Sequence, residues 1–88
     1  MDRDIPWRLS PQVSVRPEPF GALLYHFGTR KLSFLKDRTL LALVERLDGV
    51  DSLDEACDAV GLDAHDRERY LGALETLADS AMIEQRTA

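Results

Sequence analysis

The sequence predicts an α+β fold in which a three-stranded antiparallel sheet is followed by three helices. Apolar residues recur at every second position before Asp37 and at a period of about 3.6 after it, which are the periods of strands and helices. Turn and cap residues separate all six segments at short intervals. A chain of 88 residues provides one domain, and its 44% hydrophobic content provides a core of marginal size.

Three short strands are predicted in the first part of the chain. The run 13–16 alternates apolar and polar residues and is ended by Pro17, which has no N–H to donate to a ladder. The runs 22–27 and 31–35 also alternate, and the Gly28-Thr29 turn between them predicts an antiparallel hairpin. On the third strand, Leu32 and Phe34 share one face, while Lys31, Ser33 and Leu35 share the other.

Three helices are predicted from caps and apolar stripes. Asp37, Ser52 and Asp63 are good N-caps, and Ser52 forms a capping box with Glu55. The third helix is the longest, and Met82-Ile83 is expected as a brief extension of it. A hairpin followed by such helices predicts a winged helix-turn-helix arrangement.

The domain boundaries follow from these elements. Residues 1–12 carry prolines and no periodicity and are expected to form an N-terminal arm. Residues 13–84 hold the predicted domain, and residues 85–88 a C-terminal tail. Trp7 in the arm is expected to pack on the protein's own surface, because tryptophan is usually largely buried.

Charge excludes several classes of function. Residues 1–36 hold six Lys or Arg against three Asp or Glu, whereas residues 37–88 hold five against thirteen. The predicted third helix is itself acidic, so phosphate repulsion argues against a nucleic-acid partner. No apolar run approaches the length of a membrane span, and the N-terminus does not read as a signal peptide. A cytoplasmic location without a membrane partner is therefore expected.

Catalytic and metal-binding chemistry is scarce in the sequence. Cys57 lies on the apolar stripe of the second helix and is expected to be a core residue. His26 and His65 are far apart and have no second ligand at metal spacing. No glycine-rich phosphate loop or calcium loop is present. We expect no catalytic residue, metal or cofactor, and hence no enzyme.

The third strand and the third helix are a candidate peptide groove. A strand at the edge of a sheet offers free N–H and C=O groups to a further strand, and only Arg30, Lys31 and Lys36 blunt this edge. The opposite wall is expected to be formed by helix residues, namely Arg67, Tyr70, Leu71 and Leu74. The residues alone support a second interpretation equally well, in which Leu32, Phe34 and Leu74 are core residues and no groove is formed.

A family resemblance adds to this reading. The segments Gly21–Gly28, Arg30–Leu35, Leu47–Gly49 and Leu77–Ile83 resemble the PqqD-like superfamily of peptide recognition elements, first known from pyrroloquinoline-quinone biosynthesis. Within it, the run from Arg16 to Leu35 is similar to the mycofactocin branch of precursor-peptide chaperones. The similarity covers residues 13–84. Ala81 stands where the superfamily usually has glycine.

The resemblance implies an adaptor that binds the leader of a ribosomal precursor peptide by strand addition and presents it to a radical SAM maturase. The implied strand residues are Lys31, Leu32, Ser33, Phe34 and Leu35, and the implied helix residues are Arg67, Tyr70, Leu71 and Leu74. An acidic leader would suit Arg30, Lys31, Arg67 and Arg69. The alternatives are a DNA-binding winged helix and a structural homodimer formed through the third strand or the arm with Trp7.

Overall fold

Five strands and three α-helices, with a short 3-10 helix at Leu47–Gly49 after the first of them, make up the computed structural model, which describes residues 2–86. Their order along the chain is β1 Trp7–Leu9, β2 Val13–Glu18, β3 Gly21–His26, β4 Leu32–Leu35, α1 Arg38–Arg46, α2 Leu53–Ala59, α3 Ala64–Asp79 and β5 Ile83–Gln85. The α+β class and the three helices are confirmed. Strands β2 to β4 form a three-stranded antiparallel sheet ahead of the helices. The second, two-stranded sheet was not expected, and its strand β5 follows the helices.

The larger sheet has the order β2-β3-β4, with both pairs antiparallel. Its core face is nearly closed to solvent, with Ala22 and Leu24 at 0% exposure and Leu35 at 1%. Its other face, which we term the outer face, carries the alternate residues of the three strands, namely Ser14, Arg16, Leu23, Tyr25, Leu32 and Phe34. The pleat of the strands thus matches the predicted alternation.

The second sheet joins the two ends of the chain. Strand β1 pairs with β5 in the register Trp7↔Gln85, Arg8↔Glu84 and Leu9↔Ile83. Trp7 lies within the predicted arm and is buried, and its indole N–H donates to the Asp2 carbonyl at 2.8 Å. The predicted extension of the third helix through Ile83 is wrong, because Ile83 begins β5.

The helices begin where the sequence predicts. The side chains of Asp37, Ser52 and Asp63 accept from backbone N–H groups of the first turns of α1, α2 and α3, respectively. The Ser52 hydroxyl accepts from the Glu55 N–H at 3.1 Å, which is the first bond of a capping box. The Glu55 carboxylate accepts from the Asp51 N–H at 2.9 Å, one residue before the position that the box uses. All three predicted N-caps are therefore confirmed. The helices cover the core face of the larger sheet with side chains such as Leu43, Leu53 and Leu74.

Helix α3 ends in a Schellman motif whose key position is an alanine. The Met82 N–H donates to the Leu77 carbonyl at 2.9 Å and the Ala81 N–H to the Ala78 carbonyl at 3.0 Å. Ala81 has φ of 62°, in the left-handed region that disfavours any residue with a Cβ. This conformation explains why glycine suits the position.

We therefore expect Ala81→Gly to stabilise the protein by about 0.5–1 kcal/mol. The relief of left-handed strain exceeds the extra freedom that glycine gives the unfolded chain. Urea unfolding followed by circular dichroism measures the change. Ala78→Gly, inside the same helix, is the matched control and should destabilise by a similar amount, because its residue is helical.

Candidate functional site

One edge of the larger sheet is open for pairing. The His26 N–H donates to the Lys31 carbonyl at 3.0 Å, which sets the phase of the β3–β4 ladder. With the register Leu24↔Ser33 and Ala22↔Leu35, the backbone groups of Ser33 and Leu35 point to β3. The N–H and C=O groups of Leu32 and Phe34 then point to the open edge. Between residues 2 and 86 they have no backbone hydrogen-bond partner.

The opposite edge of the same sheet, strand β2, offers fewer free N–H groups. The Phe27 N–H donates to the Gln12 carbonyl at 2.8 Å, so the alternate residues Val13, Val15 and Pro17 direct their backbone outwards. The Val13 N–H already donates to the Ser10 carbonyl, and Pro17 has no N–H. Strand β2 therefore offers one free donor, from Val15, and β4 is the better edge for a guest strand.

A groove of about 380 Å³ lies beside the open edge of β4. It runs between the end of β4, the start of α1 and the middle of α3, and most of its lining is apolar. The lining residues are Phe34, Lys36, Asp37, Leu40, Arg69, Tyr70 and Ala73. Open strand groups next to an apolar groove are the combination that a bound β-strand needs, since backbone bonds give affinity and pockets give specificity.

The floor of the groove is fixed by a hydrogen bond between α1 and α3. One carboxylate oxygen of Asp37 accepts from the Thr39 N–H at 2.7 Å, and the other accepts from the Tyr70 hydroxyl. The bond from Tyr70, helped by backbone N–H groups, lowers the pKa of Asp37 below its ordinary value of 3.8. The same bond raises the pKa of the Tyr70 phenol above 10.0. The N-cap of α1 thus also positions the ring that lines the groove.

Tyr70→Phe is expected to cost about 1 kcal/mol of stability at pH 7, because a buried hydrogen bond is lost while the ring remains. Since the folded pKa of Asp37 is lowered, its contribution is present above the unfolded pKa of about 4 and is lost as pH falls through the folded value. Urea unfolding at several pH values should show a shallower acid loss in Tyr70→Phe. An unchanged slope below about pH 4, the unfolded pKa, would contradict this role of Asp37.

The predicted strand residues lie together at this edge. Leu32 is 55% exposed and Phe34 59%, so their alternative reading as core residues is wrong. Leu35 is buried, and Ser33 is half-buried on the core face. Arg30 and Lys31 are exposed at the start of β4, and neither forms an ion pair within residues 2–86. Their cations are therefore available to a ligand.

The predicted helix residues fall into two groups. Tyr70 and Arg69 line the groove, and the Arg69 guanidinium lies 4.8 Å from the centre of the Tyr70 ring. Leu71 and Leu74 are buried in the core beneath the groove. Arg67 lies away from it, because its guanidinium pairs with Asp58 and Asp54 on α2. The structure thus brings only Arg69 and Tyr70 of this set to the groove.

Four lining residues were not among the predicted site residues. Lys36, Asp37, Leu40 and Ala73 all contact the groove. Asp37 was predicted only as a helix cap. Ala73 follows Tyr70 by three positions, the helical spacing that places two side chains on one face, and this spacing was the available signal.

Cys57 and His26, the side chains that could act as a nucleophile or a base, lie away from the groove and have structural roles. Cys57 is fully buried, and burial raises the pKa of its thiol. His26 is buried, and its Nδ1 accepts from the N–H groups of Gly28 and Thr29, both at 3.0 Å, so it closes the β3–β4 turn. Within residues 2–86, no three His, Cys, Asp or Glu side chains are close enough to hold a metal. In the same range, no helix has the length and apolarity needed to cross a membrane.

Three known proteins are similar to the chain over nearly its whole length. The chain is 59% identical over 85 residues to the peptide chaperone MftB of Mycobacterium tuberculosis, covering 97% of this chain and 78% of the relative. It is 56% identical to the protein of that name from Mycobacterium ulcerans, over 99% of this chain and 80% of the relative. The peptide chaperone MftB of Mycolicibacterium smegmatis is 54% identical, over 93% of this chain and 80% of the relative. No solved structure matches the chain.

A family model covers almost the whole domain. The model that matches residues 6–84 is described as the peptide chaperone MftB family. The match includes β1 through the first residues of β5, and therefore both walls of the groove. On this match and on the identity to three named relatives, the chain belongs to the peptide chaperone MftB family.

Proposed function

We propose that the chain captures the leader of a ribosomal precursor peptide as an added strand on β4 and presents it to a radical SAM maturase in mycofactocin biosynthesis. The observation that carries the proposal is the open edge at Leu32 and Phe34, which lies directly beside the groove. Membership of a peptide chaperone family makes a binding role, and not an enzymatic one, the natural use of this edge. The proposed domain is a winged helix-turn-helix over residues 13–84, working in the cytoplasm.

We expect the guest peptide to continue the alternation of the sheet. Side chains of an added strand alternate between the two faces of the sheet. One set would enter the groove against Leu40, Tyr70 and Ala73, and the other would lie beside Leu32 and Phe34 on the outer face. A guest with alternating apolar residues would therefore be held on both sides.

The charges favour an acidic guest. Arg30, Lys31 and Lys36 are exposed around β4, and Arg69 is exposed at the lip of the groove. The only carboxylate among the lining residues belongs to Asp37, and it already accepts bonds from Thr39 and Tyr70. Carboxylates on the guest would gain from this cationic border, mainly in association rate and specificity.

Lys31→Glu tests the site. The substitution is expected to weaken leader binding about tenfold, because it replaces an attractive charge by a repulsive one beside the guest. Calorimetric titration with the synthetic leader at moderate salt measures the affinity. The matched control is Arg46→Glu, the same reversal at an exposed residue of α1 outside the groove. Equal affinity of Lys31→Glu and the wild type would rule out this edge as the acidic-peptide site.

A further inference from the structure

The outer face of the larger sheet is apolar and uncovered. Two cross-strand rows cross it, Arg16–Leu23–Phe34 and Ser14–Tyr25–Leu32. Phe27 continues the alternation of β3 and packs edge-on against Tyr25, with ring centroids 5.1 Å apart. Phe27 is 61% exposed, and Leu32 and Phe34 are also more than half exposed. Apolar side chains clustered in this way on a small soluble domain mark an interaction surface.

The border of the outer face is basic. Strands β2 to β4 with their connections, residues 13–36, carry Arg16, Arg30, Lys31 and Lys36 against the single acid Glu18. Glu18 forms an ion pair with Arg16, with a distance of 3.1 Å between Nε and Oε1. Thirteen of the sixteen acidic residues lie in residues 37–88, which hold the helices that cover the opposite face of the sheet. The outer face therefore combines apolar side chains with a basic border. Arg16 in this border is paired with Glu18, whereas Arg30, Lys31 and Lys36 form no ion pair within residues 2–86.

We propose that the outer face, extended by the bound leader strand, is the docking surface for the maturase. This inference rests on the proposed function. A guest strand on β4 would place every second side chain next to Leu32 and Phe34, so the apolar surface grows by one strand when the peptide is bound. The docking surface is thus composite, and an enzyme that uses it contacts both the chaperone and its peptide.

The charge pattern selects the chemistry of the partner. Two copies of this face related by a two-fold axis would present the same basic border to each other, with Glu18 as the one acid of residues 13–36 to offset it. This disfavours a homodimer through this surface. The complement is a protein surface with exposed apolar side chains bordered by carboxylates. Because that partner contacts the guest as well, it binds the loaded chaperone more tightly than the empty one. By linkage, the enzyme then tightens leader binding by the same factor.

Two variants on the outer face separate docking from peptide capture. Arg16 lies on β2, across the sheet from the guest edge, and Phe27 lies beyond the end of β3; neither lines the groove. We expect Arg16→Glu and Phe27→Ser each to weaken maturase binding by the leader-loaded chain at least tenfold. Leader affinity in the absence of enzyme should stay within twofold of the wild type. Arg46→Glu and Phe20→Ser, an exposed aromatic in the β2–β3 turn, are the matched controls.

The titrations use the purified chain, synthetic leader and purified maturase, with sedimentation of the chain alone as a parallel measurement. Tighter enzyme binding by the loaded chain, weakened by both face variants and by neither control, supports the inference. Unchanged enzyme affinity in both face variants overturns it, as does equal affinity for loaded and empty chain. A homodimer that Phe27→Ser dissociates would also overturn it, by assigning the face to a second copy. Failure of the wild type to bind leader would instead refute the proposed function.

Discussion

Leu32→Pro is expected to weaken leader binding about thirtyfold, or about 2 kcal/mol, while the free domain stays folded. The Leu32 N–H points to the open edge, so proline removes a donor to the guest and none to β3. The loss of one backbone bond, with the partner carbonyl of the guest left without a donor, accounts for this magnitude. Calorimetric titration with the leader measures the change.

Two substitutions on the same strand serve as controls for this effect. Leu32→Ala keeps the N–H and removes an exposed side chain, so it should weaken binding far less than Leu32→Pro. Ser33→Pro removes an N–H that points to β3 and should destabilise the domain itself. Equal affinities of Leu32→Pro and Leu32→Ala would show that the leader does not use the backbone of β4.

Gly21→Ala is expected to destabilise the protein by at least about 3 kcal/mol. A Cβ at Gly21 would lie 2.0 Å from the Leu35 carbonyl oxygen and 3.0 Å from the Asp37 nitrogen. The Leu35 carbonyl cannot move away without disturbing the end of the β3–β4 pair. Gly21 also has φ of 156°, which residues with a Cβ rarely adopt. Urea unfolding with linear extrapolation measures the loss. Because Gly21 holds the end of β4 in place, leader binding should fall with it.

Gly72→Ala is the control for the Gly21 substitution. A Cβ at Gly72 would meet no atom within 4 Å, and the residue lies exposed inside α3. Alanine is a better helix former there, so a gain of about 0.5–1 kcal/mol is expected. A loss in Gly72→Ala, or stability of Gly21→Ala close to the wild type, would contradict the backbone geometry described for these positions.

The elements that could be predicted from the sequence are those with local signals. The three N-caps and the β3–β4 turn depend on residues within a few positions of one another, and all were found as expected. The small sheet could not be predicted, because Arg8 and Glu84 pair across 76 positions over strands of three residues. Such short strands carry too little periodicity to be read as a pair.

The structure brings the predicted strand residues to the open edge but only Arg69 and Tyr70 of the predicted helix residues to the groove, and their role in binding stays a prediction. Alternation showed that Leu32 and Phe34 share a face, but not that this face is exposed, since apolar residues occur on both faces of β3 and β4. On α3, the apolar stripe identified Leu71 and Leu74, which are core residues. The groove is lined by Arg69, Tyr70 and Ala73, which lie to one side of that stripe on α3. The packing of α1 against α3 determines which side of the stripe faces the groove.

Amide hydrogen exchange at β4, followed by NMR with and without the leader, tests the central claim most directly. The account predicts fast exchange of the Leu32 and Phe34 amides in the free chain and strong protection of both in the complex, with the Ser33 amide protected in both states. The contradicting result is a saturated complex in which the amides of Leu32 and Phe34 still exchange as fast as in the free chain.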